Sequence, residues 1–228
     1  DNLTGNAFAT VTSNVAGAND VVITDIGSEF ATLKLNALAL NANTGTVSVD
    51  RKTDSAADSV ALTAQGTDHT TVTMNDEETI TLDSSVGATT ITNINASDVT
   101  SIVVTGNENV TVTNLIGNTL LTSIDASGST ALVNIGGTVN ATESGLTVTA
   151  GSGGLTAIGG NAANTFTGAA GVDNFTGGTG VDTIVGGAGA DILDGGAGND
   201  SLTGGTDGDT ITTGSGVDVV AGGAGNDT

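Results

Sequence analysis

The sequence predicts an all-β protein, a right-handed parallel β-solenoid that ends in a β-roll built of shorter coils. Three observations carry this prediction. A nine-residue repeat fills the last third of the chain, short β-type runs recur through the rest, and no segment shows the sustained hydrophobic period of a capped helix. We expect a strand-repeat region at residues 1–158, forming an irregular parallel solenoid, and the β-roll at residues 159–228.

The nine-residue repeat keeps its register without a slip. Counting Gly168 as position one, it reads GAAGVDNFT, GGTGVDTIV, GGAGADILD, GGAGNDSLT, GGTDGDTIT, TGSGVDVVA and a truncated GGAGNDT. Position six is always aspartate: Asp173, Asp182, Asp191, Asp200, Asp209, Asp218 and Asp227. Position eight is a residue type that is usually buried: Phe175, Ile184, Leu193, Leu202, Ile211 and Val220.

Each repeat predicts a glycine turn followed by a three-residue strand, so that two repeats form one 18-residue coil. Glycine suits the turn because its backbone adopts angles that a Cβ disfavours. Coils stacked roughly 4.8 Å apart place aspartates of alternate repeats in a ladder of like charges. Each solvated pair would repel by about 1 kcal/mol. A hard cation with six to eight oxygen ligands removes this repulsion, and carboxylates with carbonyls indicate calcium over zinc or copper.

The motif G-G-x-G-x-D-x-U-x, where U is large and apolar, resembles the calcium-binding nonapeptide of RTX proteins. The resemblance covers residues 168–228 well and extends weakly to 159–167, where Asn164 replaces the aspartate. A glycine-rich disordered tail is the alternative. A regular apolar residue at position eight argues against such a tail, because a disordered segment buries no side chain.

The resemblance implies two columns of calcium ions between successive loops. One column would use Asp173, Asp191, Asp209 and Asp227, and the other Asp182, Asp200 and Asp218. Complete pairs give about five ions, with a weaker site between Asn164 and Asp182. The candidate backbone ligands are Gly168, Gly171, Gly177, Gly180, Gly186, Gly189, Gly195, Gly198, Gly204, Gly216, Gly222 and Gly225. Two loops depart from the pattern, because Asp207 and Thr213 stand where glycine is expected.

The first part of the chain contains short runs that favour strands. They are VVIT 21–24, LKL 33–35, VSV 47–49, VAL 60–62, VTM 72–74, ITL 80–82, IVV 102–104, VTV 110–112 and LTV 146–148. The segment 31–42 is the most helix-like, but its alternating leucines, including Leu38 and Leu40, favour a strand.

One internal copy gives the period of these strands. Thr100, Ser101, Ile102 and Gly106 match Thr122, Ser123, Ile124 and Gly128 in the same order, and Val110 falls opposite Leu132. Ile80 and Leu82 precede Ile102 and Val104 by the same spacing, and Val60 and Leu62 precede Ile80 and Leu82 by a slightly shorter one. This period indicates a solenoid whose coils are slightly longer than those of the repeat. An antiparallel immunoglobulin-like sandwich remains the alternative, since its strand spacing is similar.

Composition excludes several classes of function. The chain of 228 residues has 25 acidic residues against Lys34, Arg51 and Lys52, so a nucleic-acid partner is not expected. There is no cysteine for a disulfide, and no run of about 20 apolar residues predicts insertion into a membrane. The sequence has a single histidine and lacks H-E-x-x-H, G-x-S-x-G, tryptophan and tyrosine, so we expect no catalytic site.

The whole chain resembles the RTX-type surface-layer proteins of alphaproteobacteria. The resemblance lies in the Thr/Ala/Val/Gly composition, the scarcity of lysine and proline, the strand from Leu121 to Ser127 and the final repeats. It implies a protein exported by type I secretion from a Gram-negative bacterium, which binds calcium at the cell surface and assembles with copies of itself. A cell-surface polysaccharide is a further candidate partner. The alternatives are the stalk of an RTX adhesin or biofilm matrix protein, and the accessory module of a secreted enzyme.

Overall fold

The protein is an all-β parallel solenoid built of two sheets that face each other across a narrow core. The computed structural model describes residues 21–26, 32–36, 46–51, 59–65, 68–74, 78–136 and 145–228. These residues contain twenty strands, and each sheet takes every second strand in chain order. The described part contains no helix, and hence none long and apolar enough to cross a membrane.

The strands of the first sheet are β1 (Val21–Ile26), β3 (Thr46–Arg51), β5 (Asp68–Met74), β7 (Thr89–Asn95), β9 (Val110–Ile116), β11 (Val133–Ile135), β13 (Leu155–Ile158), β15 (Asn174–Thr179), β17 (Ile192–Ala197) and β19 (Thr210–Thr212). Those of the second sheet are β2 (Thr32–Asn36), β4 (Ser59–Gln65), β6 (Thr79–Gly87), β8 (Ser101–Gly106), β10 (Ser123–Ser129), β12 (Thr147–Thr149), β14 (Thr165–Thr167), β16 (Thr183–Ala188), β18 (Ser201–Thr206) and β20 (Val219–Ala224).

All strand pairs in the described part are parallel, so the antiparallel sandwich is wrong. The predicted 31–42 strand is observed only as β2, while Leu38 and Leu40 lie outside the described residues. The strands β7 and β11 were not predicted, and both belong to the first sheet, on either side of the predicted β9.

The predicted register of the longer coils is confirmed in the core and shifts by one residue beyond it. Val60 pairs with Ile80, Ile80 with Ile102, and Ile102 with Ile124. A bulge between Asp125 and Gly128 then places Gly128 opposite Thr105 instead of Gly106. Val110 pairs with Val133, not with the predicted Leu132.

Where side chains are described between β4 and β18, alternate ones fill the core. Val60, Ile80, Ile102 and Ile124 are fully buried, and the stack continues through Val148 and Phe166 to the repeat segment. The ring of Phe166 lies against that of Phe175, with centroids 5.2 Å apart and planes tilted by 33°.

The coils become shorter where the repeats begin. Ile124 pairs with Val148, but Val148 already pairs with Phe166, so the second of these coils contains fewer residues than the first. Every later pair keeps the step from Val148 to Phe166, as in Phe175 with Leu193. Both sheets run through this change, because β13 pairs with β15 and β12 pairs with β14. The aspartates therefore recur at a constant position on successive coils.

Candidate metal centre

The position-six aspartates from Asp173 to Asp209 lie inside the coils, immediately before strands, whereas Asp218 is half-buried and Asp227 is exposed. Asp173, Asp182, Asp191, Asp200 and Asp209 are at most 1% exposed. In all seven copies the Oδ1 atom accepts a hydrogen bond from the backbone N–H of the residue 18 positions earlier, at 2.7 to 3.1 Å. For example, the N–H of Asp173 donates to Asp191 and that of Asp191 donates to Asp209. The aspartates assigned to each predicted column therefore form a ladder of hydrogen-bonded carboxylates.

The second carboxylate oxygen of four aspartates has no partner. The Oδ2 atoms of Asp182, Asp191, Asp200 and Asp209 are buried and accept no hydrogen bond. Asp173 differs, since its Oδ2 accepts the N–H of Ala169 at 3.1 Å. Burying a carboxylate oxygen without a hydrogen-bond donor costs free energy, so we expect a cation to bind these four atoms.

A backbone carbonyl shares the space in front of each unpartnered oxygen, and a glycine keeps that space open. A Cβ on Gly195 would stand 2.6 Å from the carbonyl oxygen of Thr213 and 2.7 Å from Asp200 Oδ2. The other position-one glycines have equivalent neighbours: Gly177 faces Asp182 Oδ2 and the carbonyl of Gly195, and Gly186 faces Asp191 Oδ2 and that of Gly204. Carboxylate and carbonyl oxygens thus converge between coils.

Burial also raises the pKa of three of these acids, Asp173, Asp182 and Asp191. Loss of hydration raises the pKa of Asp191 from 3.8 to about 6, and the charges of Asp173, Asp209 and Asp207 contribute to the rise. Burial likewise raises the pKa of Asp173 and of Asp182, and the charge of Asp200 adds to the effect at Asp182. The column is therefore electrostatically uncompensated without a counter-ion.

Comparison with known proteins places the repeats in a family. The model of the RTX calcium-binding nonapeptide repeat matches in four overlapping copies, at residues 158–193, 167–202, 176–211 and 194–228. Residues 158–228 are RTX repeats. RTX repeats bind calcium in general and are typical of proteins secreted by Gram-negative bacteria, so a secreted structural or calcium-binding protein is indicated. No curated protein and no solved structure matches the chain.

The donors of the RTX segment suit calcium. All converging atoms are carboxylate or carbonyl oxygens, which are the ligands of a hard divalent cation. Nowhere in the described ranges do three acidic, histidine or cysteine side chains gather, so backbone oxygens must complete each site. The observed donor set therefore fits calcium better than a transition metal.

The position-four glycines have backbone angles that glycine adopts most freely. Gly180, Gly189, Gly198, Gly216 and Gly225 have φ values between 121° and 149°. Their α-carbons face carbonyl groups of the preceding coil, and only at Gly198 does a carboxylate oxygen, Asp200 Oδ1, come near. They therefore form the turn and allow close stacking. Gly171, which we also predicted as a ligand, faces the backbone of Gly153 and Gly154.

The two loops in which glycine is replaced, at Asp207 and Thr213, differ in how the backbone accommodates the replacement. Asp207 stands at position four with a φ of 77°, positive but smaller than that of the glycines there, and is the only non-glycine residue with positive φ in the described part. Thr213 directs its carbonyl oxygen at the space beside Gly195, so this substitution keeps the backbone oxygen.

Sequence reasoning missed a second set of turn glycines. Position two has positive φ in six repeats, at Gly178, Gly187, Gly196, Gly205, Gly214 and Gly223. The paired glycines that open most repeats were the available signal. Val220, the position-eight residue of β20, is 45% exposed.

Proposed function

We propose that this chain is a structural extracellular protein that folds with calcium and then assembles with copies of itself into a surface layer or matrix. The observation that carries the calcium half of the proposal is the set of four buried, unpartnered Oδ2 atoms facing backbone carbonyls. Bound calcium would neutralise them, and the net charge of −22 would fall in magnitude accordingly.

The ions would lie between successive loops of each column. The aspartate pairs 173–191, 191–209 and 209–227 supply one column, and 182–200 and 200–218 the other, for about five ions. The carbonyl oxygen of a position-one residue from the later coil would join each pair, as the carbonyl of Gly204 does beside Asp191. Such sites exist only when coils are stacked, so ion binding and folding are coupled.

Coupling between calcium binding and folding is compatible with secretion of an unfolded chain. At low cytosolic calcium the repelling carboxylates would keep the repeat segment open, and extracellular calcium would close it. Affinities of extracellular calcium modules are commonly about 10⁻⁴–10⁻³ M, which matches that change of compartment. Type I secretion from a Gram-negative bacterium is therefore our expectation for this chain, as for RTX proteins.

Calcium stoichiometry tests the metal-binding part. In the double variant Asp191→Ala/Asp200→Ala, four of the five proposed pairs lose a carboxylate. Titration calorimetry of the full chain should show the number of bound ions falling from about five to about one. The variant Asp98→Ala/Asp125→Ala makes the same change of charge outside the RTX segment and should leave the number unchanged. Equal stoichiometry in the two double variants would refute the columns.

The assembly part rests on the family resemblance stated for the sequence. Electron microscopy with millimolar calcium, and again with chelator, tests it. Ordered sheets or fibres that need calcium are expected. Dispersed monomers in both conditions, despite calcium binding, would favour an adhesin stalk or an enzyme's accessory module.

A further inference from the structure

Position six of the first, degenerate repeat carries an amide instead of a carboxylate. Asn164 is 2% exposed and occupies the place that aspartate takes in later repeats. Its Oδ1 accepts the backbone N–H of Leu146, 18 positions earlier, at 3.0 Å. Asn164 thus continues the hydrogen-bond ladder of the column that contains Asp182 and Asp200.

The other end of the side chain differs from every aspartate in the column. Asn164 Nδ2 donates to the carbonyl oxygen of Ala162 at 2.7 Å, to that of Gly177 at 3.0 Å and to Asp182 Oδ1 at 2.9 Å. Gly177 is a position-one residue of the next coil, and Asp182 is the next acid of the column. An amide nitrogen therefore lies among oxygens of the kinds that meet between later coils.

The same interval between later coils contains only acceptors. Where Asn164 presents Nδ2, Asp182 presents the unpartnered Oδ2, which shares its space with the carbonyl of Gly195. Two acceptors repel unless a cation lies between them, whereas an N–H group binds both neighbours directly. The two amide hydrogens of Asn164 are shared among these oxygens, so no cation is needed to separate them.

We propose that the Asn164 amide replaces a calcium ion, so that the coil from 146 to 164 closes without metal and forms a template for the calcium-dependent coils. This inference rests on the proposed calcium-binding function. It also replaces the sequence expectation of a weak ion between Asn164 and Asp182, because the amide occupies that position.

The packing around Asn164 supports a metal-independent junction. Phe166, two positions later, is fully buried beneath the strand ladder and contacts the ring of Phe175. These are the largest buried side chains of the described part, and they lie where the coils become shorter. In a repeat protein each coil is stabilised mainly by its neighbours, so a preformed coil lowers the cost of starting the next.

Hydrogen exchange of the unmodified full chain in chelator tests the template. The N–H groups of Leu146 and Asn164 should exchange at least about tenfold more slowly than those of Asp191 and Asp200. Equal exchange at both pairs in chelator would overturn the template. Failure of calcium to slow exchange at Asp191 and Asp200 would instead refute the proposed calcium function, so the two failures are distinguishable.

The variant Asn164→Asp tests the replacement itself. It should bind one more calcium ion than the parent in titration calorimetry, and its Leu146 N–H should lose protection in chelator. Asn174→Asp is the matched control, because it adds the same charge at an exposed strand position of the neighbouring coil. An unchanged number of ions in Asn164→Asp, with Leu146 still protected in chelator, would overturn the proposal.

Discussion

The coils on either side of Ala150 share one strand ladder but differ in what fills the core. In the longer coils strands β4, β6, β8 and β10 of the second sheet each send two aliphatic side chains inward, such as Ile102 and Val104 in β8. In the RTX coils the corresponding strand sends one aliphatic side chain and one glycine, such as Ile184 and Gly186 in β16. The space that the side chain vacates is taken by a carboxylate.

The change is gradual along the chain. The second inward position of successive coils is occupied by Leu82, Val104, Ala126, Ala150 and then Gly168. Only glycine leaves room for a carboxylate oxygen at this position, because a Cβ on Gly168 would clash with Asp173 Oδ2. A core of aliphatic side chains is stable by itself, whereas a core with a column of buried acids depends on a counter-ion. We therefore expect the longer coils to be stable without calcium and the RTX coils to depend on it.

Removal of calcium should separate the two regions most strongly. In chelator we expect strands β16 to β20 to lose hydrogen-exchange protection while β6 to β10 keep it, because only the former stack over buried carboxylates. Exchange measured by mass spectrometry on the full chain gives both regions in one experiment. Loss of protection throughout, or in neither region, would contradict the division.

A methyl group placed in the metal space should have the next largest effect. Gly195→Ala puts a Cβ against the carbonyl of Thr213 and Asp200 Oδ2, so we expect about 2–3 kcal/mol of destabilisation in calcium and the loss of one ion. Gly117→Ala is the control: its φ is 75° and nothing lies within 4 Å of the added Cβ. It should cost about 1 kcal/mol with or without calcium. A larger loss for Gly117→Ala would contradict the steric argument.

The sequence alone predicted the architecture and the ladder better than the chemistry between coils. Ile80, Ile102 and Ile124 could be aligned because burial requires a constant register. The bulge at Gly128 could not, because a one-residue irregularity leaves the hydrophobic pattern intact. The sequence also did not predict that Asn164 donates hydrogen bonds where the aspartates offer an acceptor. It shows that asparagine replaces aspartate, but not where the amide nitrogen lies.

An amide in place of an acid should have opposite effects on stability with and without calcium. Asp191→Asn should destabilise the calcium-bound protein by about 1–2 kcal/mol and stabilise the calcium-free protein by a similar amount. The calcium-bound form loses a charged ligand, whereas the calcium-free form loses a buried charge and gains a donor like that of Asn164. Calorimetric melting with calcium and with chelator measures both signs. Equal signs would show that Asp191 acts only through packing.

The pH dependence of the RTX coils should also reverse with calcium. The pKa of Asp191 is raised to about 6 in the fold, against 3.8 ordinarily, so the calcium-free fold binds more protons than the unfolded chain between those values. Stability without calcium is therefore greatest near the lower value and falls as pH rises through about 6. Calcium requires the ionised acid, so stability with calcium rises over the same window. Melting temperatures across this range, with and without calcium, check the two slopes.

The smallest expected change in stability concerns a strained turn in the RTX coils. Asp207 holds φ 77°, which glycine adopts freely, so Asp207→Gly should stabilise the RTX coils by about 1 kcal/mol. The gain is partly offset because Oδ2 accepts the N–H of Gly189 at 3.3 Å. Asp207→Asn separates strain from charge, since it removes the charge and keeps the side chain. Equal gains in the two variants would show that repulsion by Asp207, and not its backbone angle, limits this coil.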